Sequence, residues 1–307
     1  MFKNQTILVT GGTGSWGYEL VRQLLTLDPK EIRIISRNES SQFTMKQEFD
    51  NNPKLQFLIG DIKEKDSLIE ACQGVDYVFH LAALKHVPVC EDQPLEALKT
   101  NVHGTQNVID AAIICNVKRV IYISTDKAAN PSNFYGLSKA MGERLIIHAN
   151  TLNTKTKFVC IRGGNVLGTN GSVIHVFKKQ IQEKGKVGIT DLDMTRFFLT
   201  LEDAIKLVFK ATFESLGGEI FVMKMPTCKI IDLAYVLIDA SNKENVDIEI
   251  LGIRPGEKIH ELLLSEYEST TTIAYDEEYF VILPPIHIPG LYNFYLIIRH
   301  MNTGYSF

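Results

Sequence analysis

The chain has 307 residues, of which 45% are hydrophobic and 22% charged, with a formal net charge of −4. These proportions exclude a disordered or fibrous chain and supply enough apolar side chain for one large domain or two closely joined ones. The charge gives no electrostatic reason to expect nucleic acid as a partner.

The elements read in chain order as strands alternating with helices. Thr6–Thr10 is a short, apolar, β-branched run, followed by a glycine turn and a helical pattern over Gly17–Leu27. Strands follow at Glu31–Ser36, Leu55–Ile59 and Val75–His80, with a helix at Asp66–Cys72. Pro94–Cys115 reads as one long helix, Arg119–Ser124 as the fifth strand, Tyr135–Ala149 as a helix and Lys157–Arg162 as the sixth strand. Buried strands alternating with helices predict an α/β fold whose parallel sheet is covered on both faces. After about residue 165 the rhythm changes: glycine loops at 163–164 and 168–171 precede shorter, mixed segments and a helix at Leu201–Leu216. The expected organisation is a first domain over 1–165 and a smaller substrate-facing region over 166–307, with some segments returning to the first domain.

The five cysteines, Cys72, Cys90, Cys115, Cys160 and Cys228, include no C-x-x-C pair. That argues against a disulfide framework or a Cys-type zinc site and for reduced thiols in the cytoplasm. The segment before the glycine turn is too short for a signal peptide, and no apolar run reaches the ~20 residues that span a bilayer. The expectation is a cytoplasmic protein with no membrane partner and no metal.

The turn Thr10-Gly-Gly-Thr-Gly-Ser-Trp-Gly17 fits G-x-G-x-x-G between a strand and a helix. Glycines there allow a tight turn, close approach of backbone to a pyrophosphate, and close helix packing. The helix N-terminus then points its N–H groups at the phosphates. This predicts a Rossmann-type doubly wound sheet binding a dinucleotide through Gly11, Thr13, Gly14, Ser15, Trp16 and Gly17. The second strand ends Ser36-Arg37-Asn38, with Ser40 just beyond, where an NAD site usually has a carboxylate. Arg37 suits a 2′-phosphate and favours NADP; a solvated surface arginine is the alternative. Asp61 and Ile62 after the third strand suit the adenine, although a loop aspartate can equally cap its own turn.

Tyr135 and Lys139 stand at i and i+4, so both face one side of their helix. A lysine cation beside a phenol favours the phenolate and should lower the tyrosine pKa. A tyrosinate can take a proton from a substrate hydroxyl while hydride leaves the same carbon, and Ser124 or Thr125 can hydrogen-bond that oxygen.

These positions resemble the extended short-chain dehydrogenase/reductase family. Several strings narrow the likeness to its inverting UDP-N-acetylglucosamine 4,6-dehydratases, of the polysaccharide biosynthesis family. They are Asp126-Lys127-Ala-Ala-Asn-Pro131, Ala82-Ala-Leu-Lys-His-Val-Pro88, Gly164-Asn-Val-Leu-Gly168, Gly171-Ser-Val173, Thr190-Asp191, Met194-Thr-Arg-Phe-Phe198 and Gly252-Ile-Arg-Pro-Gly-Glu-Lys258. The resemblance runs collinearly from about residue 5 to about 283. It implies Asp126 as the acid that protonates the C6 hydroxyl and Lys127 as the base that removes the C5 proton; a dry pocket favours the neutral form of each. Relatives that retain the C5 configuration usually carry Asp-Glu there.

By the same resemblance Ala82 and Lys85 adjoin the cofactor, and Lys85, His86, Thr100, Asn101, Asn165, Ile174, Thr190, Arg196 and Arg254 contact a UDP-sugar. Asn101 has a purely structural alternative, His86 a packing one, and Arg196 pairs either with a phosphate or with Asp191 or Asp193. A homo-oligomer, from dimer to hexamer, is implied too. Two departures stand out. Gly163 replaces a usual tyrosine, loosening the pocket floor, and the tail Asn302–Phe307 ends short of the family's usual end. A nucleotide-sugar 4-epimerase needs the tyrosine and lysine but not Asp126-Lys127. A retaining dehydratase and a non-catalytic NADP-binding regulator are the further alternatives.

Overall fold

A computed structural model describes residues 1–152, 155–169 and 172–303, with the side chains of 299–303 left aside. Gly171, in one of the strings above, and the tail beyond 303 lie outside the described residues. The first half alternates β1 (Thr6–Thr10), α1 (Ser15–Leu25), β2 (Glu31–Ser36), α2 (Glu39–Glu48), β3 (Leu55–Ile59), α3 (Lys65–Cys72) and β4 (Tyr77–His80). It continues through α4 (Val87–Asp92), α5 (Pro94–Leu98), α6 (Gly104–Ile114), β5 (Arg119–Thr125), α7 (Phe134–Ala149) and β6 (Lys157–Gly163).

These strands lie parallel in the order β3-β2-β1-β4-β5-β6. The chain runs outward from β1 through β2 to β3, then crosses back to β4 and runs the other way. A crevice therefore opens beyond the carboxyl ends of β1 and β4, where α/β sheets bind ligands. Two apolar layers flank the sheet: Ile7, Val9, Leu20 and Phe79 on one face, Leu8, Val78, Val108 and Tyr122 on the other. Alternate residues of one buried strand feed opposite layers, which is why β1 has no polar face.

The long helix expected over 94–115 stays helical from α5 into α6, with one altered turn inside it. Between α5 and α6 the turn Lys99–His103 winds as a π-helix, a local widening often found at functional sites. It turns Asn101 inward, where the side chain accepts from Leu84 N (2.8 Å) and donates to Leu84 O and Ser138 Oγ (2.9 Å each).

The second half contains β7 (Asn165–Val166), α8 (Val173–Lys184), β8 (Lys186–Ile189), β9 (Thr195–Leu199), α9 (Leu201–Glu214), β10 (Ile220–Met223), β11 (Thr227–Lys229) and α10 (Ile230–Asp239). It ends with β12 (Asp247–Ile250), α11 (Glu266–Ser269), β13 (Thr272–Ala274), β14 (Tyr279–Ile282) and α12 (Leu291–Thr303). Strands β10, β14 and β13 extend the main sheet beyond β6, β10 in parallel and the other two antiparallel. The small sheets β11-β9-β7 and β12-β8 stand apart, over a core of Phe177, Ile181, Val187, Ile189, Met194, Phe198 and Ile230.

One buried ion cluster joins the parts. Arg162, with no exposed surface, donates to Glu143 on α7 (3.0 and 2.7 Å), to Glu268 on α11 (3.0 and 2.9 Å) and to Leu263 O (3.0 Å). Glu268 also closes a capping box with Ser265.

Candidate active site

The glycine turn opens the crevice at the end of β1. Gly11 takes φ 69°, and a Cβ there would sit 2.8 Å from the backbone of Ala82. A Cβ on Gly17 would meet Gly12 at 2.3 Å, so the start of α1 lies flat on the turn. Gly14 at the N-cap has no side chain to satisfy the helix donors, and the first turn has no acidic residue. That arrangement suits an anionic pyrophosphate.

A cavity of ≈ 460 Å³ runs from this turn past Ala82, Lys85 and His86 to Thr125, Lys127, Tyr135, Lys139 and Asn165. A second, of ≈ 390 Å³, is lined by Lys85, His86, Asn165, Ile174, Thr190, Arg196 and Arg254. The two share Lys85, His86, Asn165, Val166 and Thr169. Such adjoining chambers can hold a dinucleotide in one and a nucleotide-sugar in the other. Thr100 and Asn101 are buried and lie on neither wall; the bonds of Asn101 hold the loop that carries Lys85.

At the end of β2, Arg37 stands 3.9 Å from Asp61, which also lies 3.6 Å from Lys63. Asp61 accepts from Lys63 N at 3.0 Å, stabilising its own turn. Asn38 caps α2 by accepting from Ser41 N at 2.9 Å, and Ser40 follows on the first turn. Ile62 packs against Gly104, whose added Cβ would meet it at 2.6 Å.

Tyr135 is hydrogen-bonded to Thr125, which donates to Asp126 Oδ1 at 2.9 Å. Lys139 donates to Ile123 O at 2.6 Å and lies 3.9 Å from the centre of the Tyr122 ring. Burial brings the Lys139 amine down to about 7, against the opposing pull of Glu143. Burial likewise raises the Tyr135 phenol, which the Thr125 bond only partly offsets. The depressed tyrosine expected from the i, i+4 spacing is thus not a property of the protein without ligand. Burial is the largest influence on each of the two groups.

The turn after β5 places Asp126 and Lys127 side by side. Lys127 Nζ is 3.1 Å from Asp126 Oδ1 and 3.4 Å from Glu261 Oε1. Asp126 is wholly buried and its Oδ2 has no hydrogen-bond partner. That oxygen lies beneath Gly164, on the cavity wall, where an added Cβ would come within 3.4 Å. The glycine is required by packing, since that Cβ would also meet Phe197 Cβ at 2.8 Å and Met225 Cε at 3.0 Å. Gly163 leaves room, its nearest neighbour being Met223 Sδ at 3.4 Å from an added Cβ.

Two carboxylates escape the sequence reasoning. Glu257 accepts from Thr190 Oγ1 at 3.2 Å and lies 3.8 Å from Arg196, whose other donors hold Thr195, Lys258 and Ile259 carbonyls. Arg196 therefore pairs with neither Asp191 nor Asp193. Glu261 stands on Lys127 although the two are far apart in sequence. No spacing rule relates them; only its place just after the string at 252–258 hints at it.

Among the described residues no group of His, Cys, Asp and Glu is arranged to hold a metal, and no helix is long and apolar enough to cross a membrane.

The family model described as polysaccharide biosynthesis protein matches residues 7–283. An uncharacterised membrane protein of Methanocaldococcus jannaschii is 47% identical over 92% of this chain and 87% of its own. The inverting UDP-N-acetylglucosamine 4,6-dehydratase of Campylobacter jejuni is 46% identical, covering 93% and 85%. The UDP-glucose 4-epimerase of Rickettsia bellii is 46% identical, covering 87% and 80%. The crystal structure of Pen from Bacillus thuringiensis superposes with a TM-score of 0.90 at 43% identity, covering 92% of this chain and 90% of that one. With its parallel sheet, glycine turn and Tyr135–Lys139 pair, the chain belongs to the polysaccharide biosynthesis protein family.

Proposed function

We propose that the protein is an NADP-dependent 4,6-dehydratase of UDP-N-acetylglucosamine that inverts C5 and yields a UDP-4-keto-6-deoxy-hexosamine. The observation that carries this is the pairing of Asp126 and Lys127, with Lys127 and Tyr135 both on the wall of the chamber that the glycine turn opens. A 4-epimerase, the name borne by the Rickettsia relative, has use for Tyr135 and Lys139 but none for an acid and a base aimed at C5 and C6.

The glycine turn, the N-terminus of α1, Ala82 and Lys85 fit a nicotinamide dinucleotide, and Arg37 at the end of β2 fits the 2′-phosphate of NADP. When bound, that cofactor supplies the hydride chemistry: it accepts from C4 and returns to C6. The residues of the chain then move protons. Tyr135 takes the C4 hydroxyl proton as its phenolate, which becomes the phenol, with Thr125 bonded to its oxygen. The 4-ketone acidifies C5–H. Lys127 takes that proton while Asp126 gives one to the C6 hydroxyl, which leaves as water as the C5–C6 double bond forms. Inversion requires that C5 be reprotonated from the opposite face. Lys85 and Arg254 place cationic side chains on the wall of the nucleotide-sugar chamber, and Arg254 suits the diphosphate.

The test is incubation of the purified protein with UDP-N-acetylglucosamine and NADP⁺, followed by proton NMR. A C6 methyl supports a dehydratase; a C4 epimer without a methyl assigns an epimerase.

A further inference from the structure

We infer that Glu261 is a positioning residue for Lys127, holding the amine in place while Asp126 releases its proton. The inference rests on the dehydratase reading and extends it to a carboxylate from the C-terminal half of the chain.

Glu261 is 7% exposed, its Oε1 is 3.4 Å from Lys127 Nζ, and its Oε2 is buried without a hydrogen-bond partner. The segment that carries it is fixed on both sides. Upstream, His260 Nδ1 meets Thr195 Oγ1 at 2.8 Å, and the Lys258 and Ile259 carbonyls accept from Arg196 at 2.9 and 3.0 Å. Downstream, Leu263 O accepts from buried Arg162 at 3.0 Å. A buried carboxylate is costly unless a donor faces it, and Lys127 Nζ is the donor group beside it.

The chemistry needs such a partner. Before C5 is deprotonated, the amine must keep its lone pair directed at that proton. Asp126 Oδ1 alone holds Lys127 from one side, at 3.1 Å. In the elimination one proton passes from C5 to Nζ and one from Asp126 to the departing oxygen, so Lys127 ends as ammonium and Asp126 as carboxylate. Glu261 neither gains nor loses a proton. It holds Nζ from the second side throughout and pairs with the ammonium as it forms.

The experiment compares wild type with Glu261→Gln, which keeps size and shape. Methyl formation and deuterium uptake at C5 in D₂O should fall on the order of 100-fold. C4 oxidation, read in a single turnover as the near-ultraviolet band of reduced nicotinamide, should persist, as should the melting temperature of the cofactor-bound protein. Reduced cofactor then accumulates without methyl product. Glu261→Asp should restore part of the rate, and it carries the same comparison should the glutamine variant not fold. Unchanged methyl formation, or loss of oxidation and elimination in equal measure, overturns the inference. A wild-type protein that forms no methyl sugar overturns the dehydratase reading itself, and this inference with it.

Discussion

Replacing Arg162 by methionine should cost far more stability than neutralising either of its partners. The guanidinium is fully buried and makes five hydrogen bonds, four to the carboxylates of Glu143 and Glu268 and one to Leu263 O. Methionine fills much of the volume but leaves two buried carboxylates facing each other. Breaking a buried ion cluster in this way costs about 3–5 kcal/mol. Glu268→Gln leaves Arg162 paired with Glu143 and loses mainly hydrogen-bond strength, about 1–2 kcal/mol. At about 2 °C per kcal/mol for a chain of this size, Arg162→Met should melt at least about 6 °C lower.

The pH dependence has a fixed sign. Burial pushes the Glu268 carboxyl up, but the hydrogen bonds and charge of Arg162, with the Ser265 contacts, outweigh it and leave it lowered. Its contribution is therefore present above the ordinary glutamate range and is lost as pH falls through the lowered native value. The gap between wild type and Arg162→Met should narrow below about pH 4. Thermal melts across pH, monitored by circular dichroism, provide the assay. A cost under about 1 kcal/mol, or a gap that widens in acid, refutes the reasoning.

Three further outcomes follow. Tyr135→Phe should lower turnover by about 10²–10⁴-fold while leaving cofactor affinity, measured by calorimetry, nearly intact. Arg37→Ala should weaken NADP⁺ binding by about tenfold or more and leave NAD⁺ binding unchanged, since only NADP⁺ presents a 2′-phosphate. Burial holds Lys139 at about 7 in the folded protein, below its ordinary value near 10.4, so the unfolded chain binds the extra proton between those values. Wild type should therefore gain stability over Lys139→Met as pH rises through that window, by up to about 5 kcal/mol, and chemical denaturation at several pH values measures it.

Much of the first half was legible because β1 to β6 are short runs of buried, β-branched residues separated by helices of regular period. Pattern reasoning missed α2, whose buried face within the helix consists of Gln42 and Met45 alone. It read the helix over 94–115 but not the π-helical turn inside it, which leaves hydrophobic periodicity almost undisturbed. The small lobe was poorly legible: β7 has two residues and β11 three, and their pairing with β9 is set by contacts distant in sequence. The side chains around the glycine turn and α7 could be named from local spacing. Glu257 and Glu261 could not, because their partners Thr190, Arg196 and Lys127 reach them only through the closed fold. Electrostatics was the least legible part. The i, i+4 rule placed Lys139 near Tyr135 but not the burial that governs both.

The most direct test of the central claim is proton NMR of the protein with UDP-N-acetylglucosamine and NADP⁺ in D₂O. The account predicts a new C6 methyl signal, deuterium at C5 and a coupling pattern for inverted C5. A methyl with retained C5 configuration contradicts the role given to Lys127, and a C4 epimer without a methyl contradicts the dehydratase assignment.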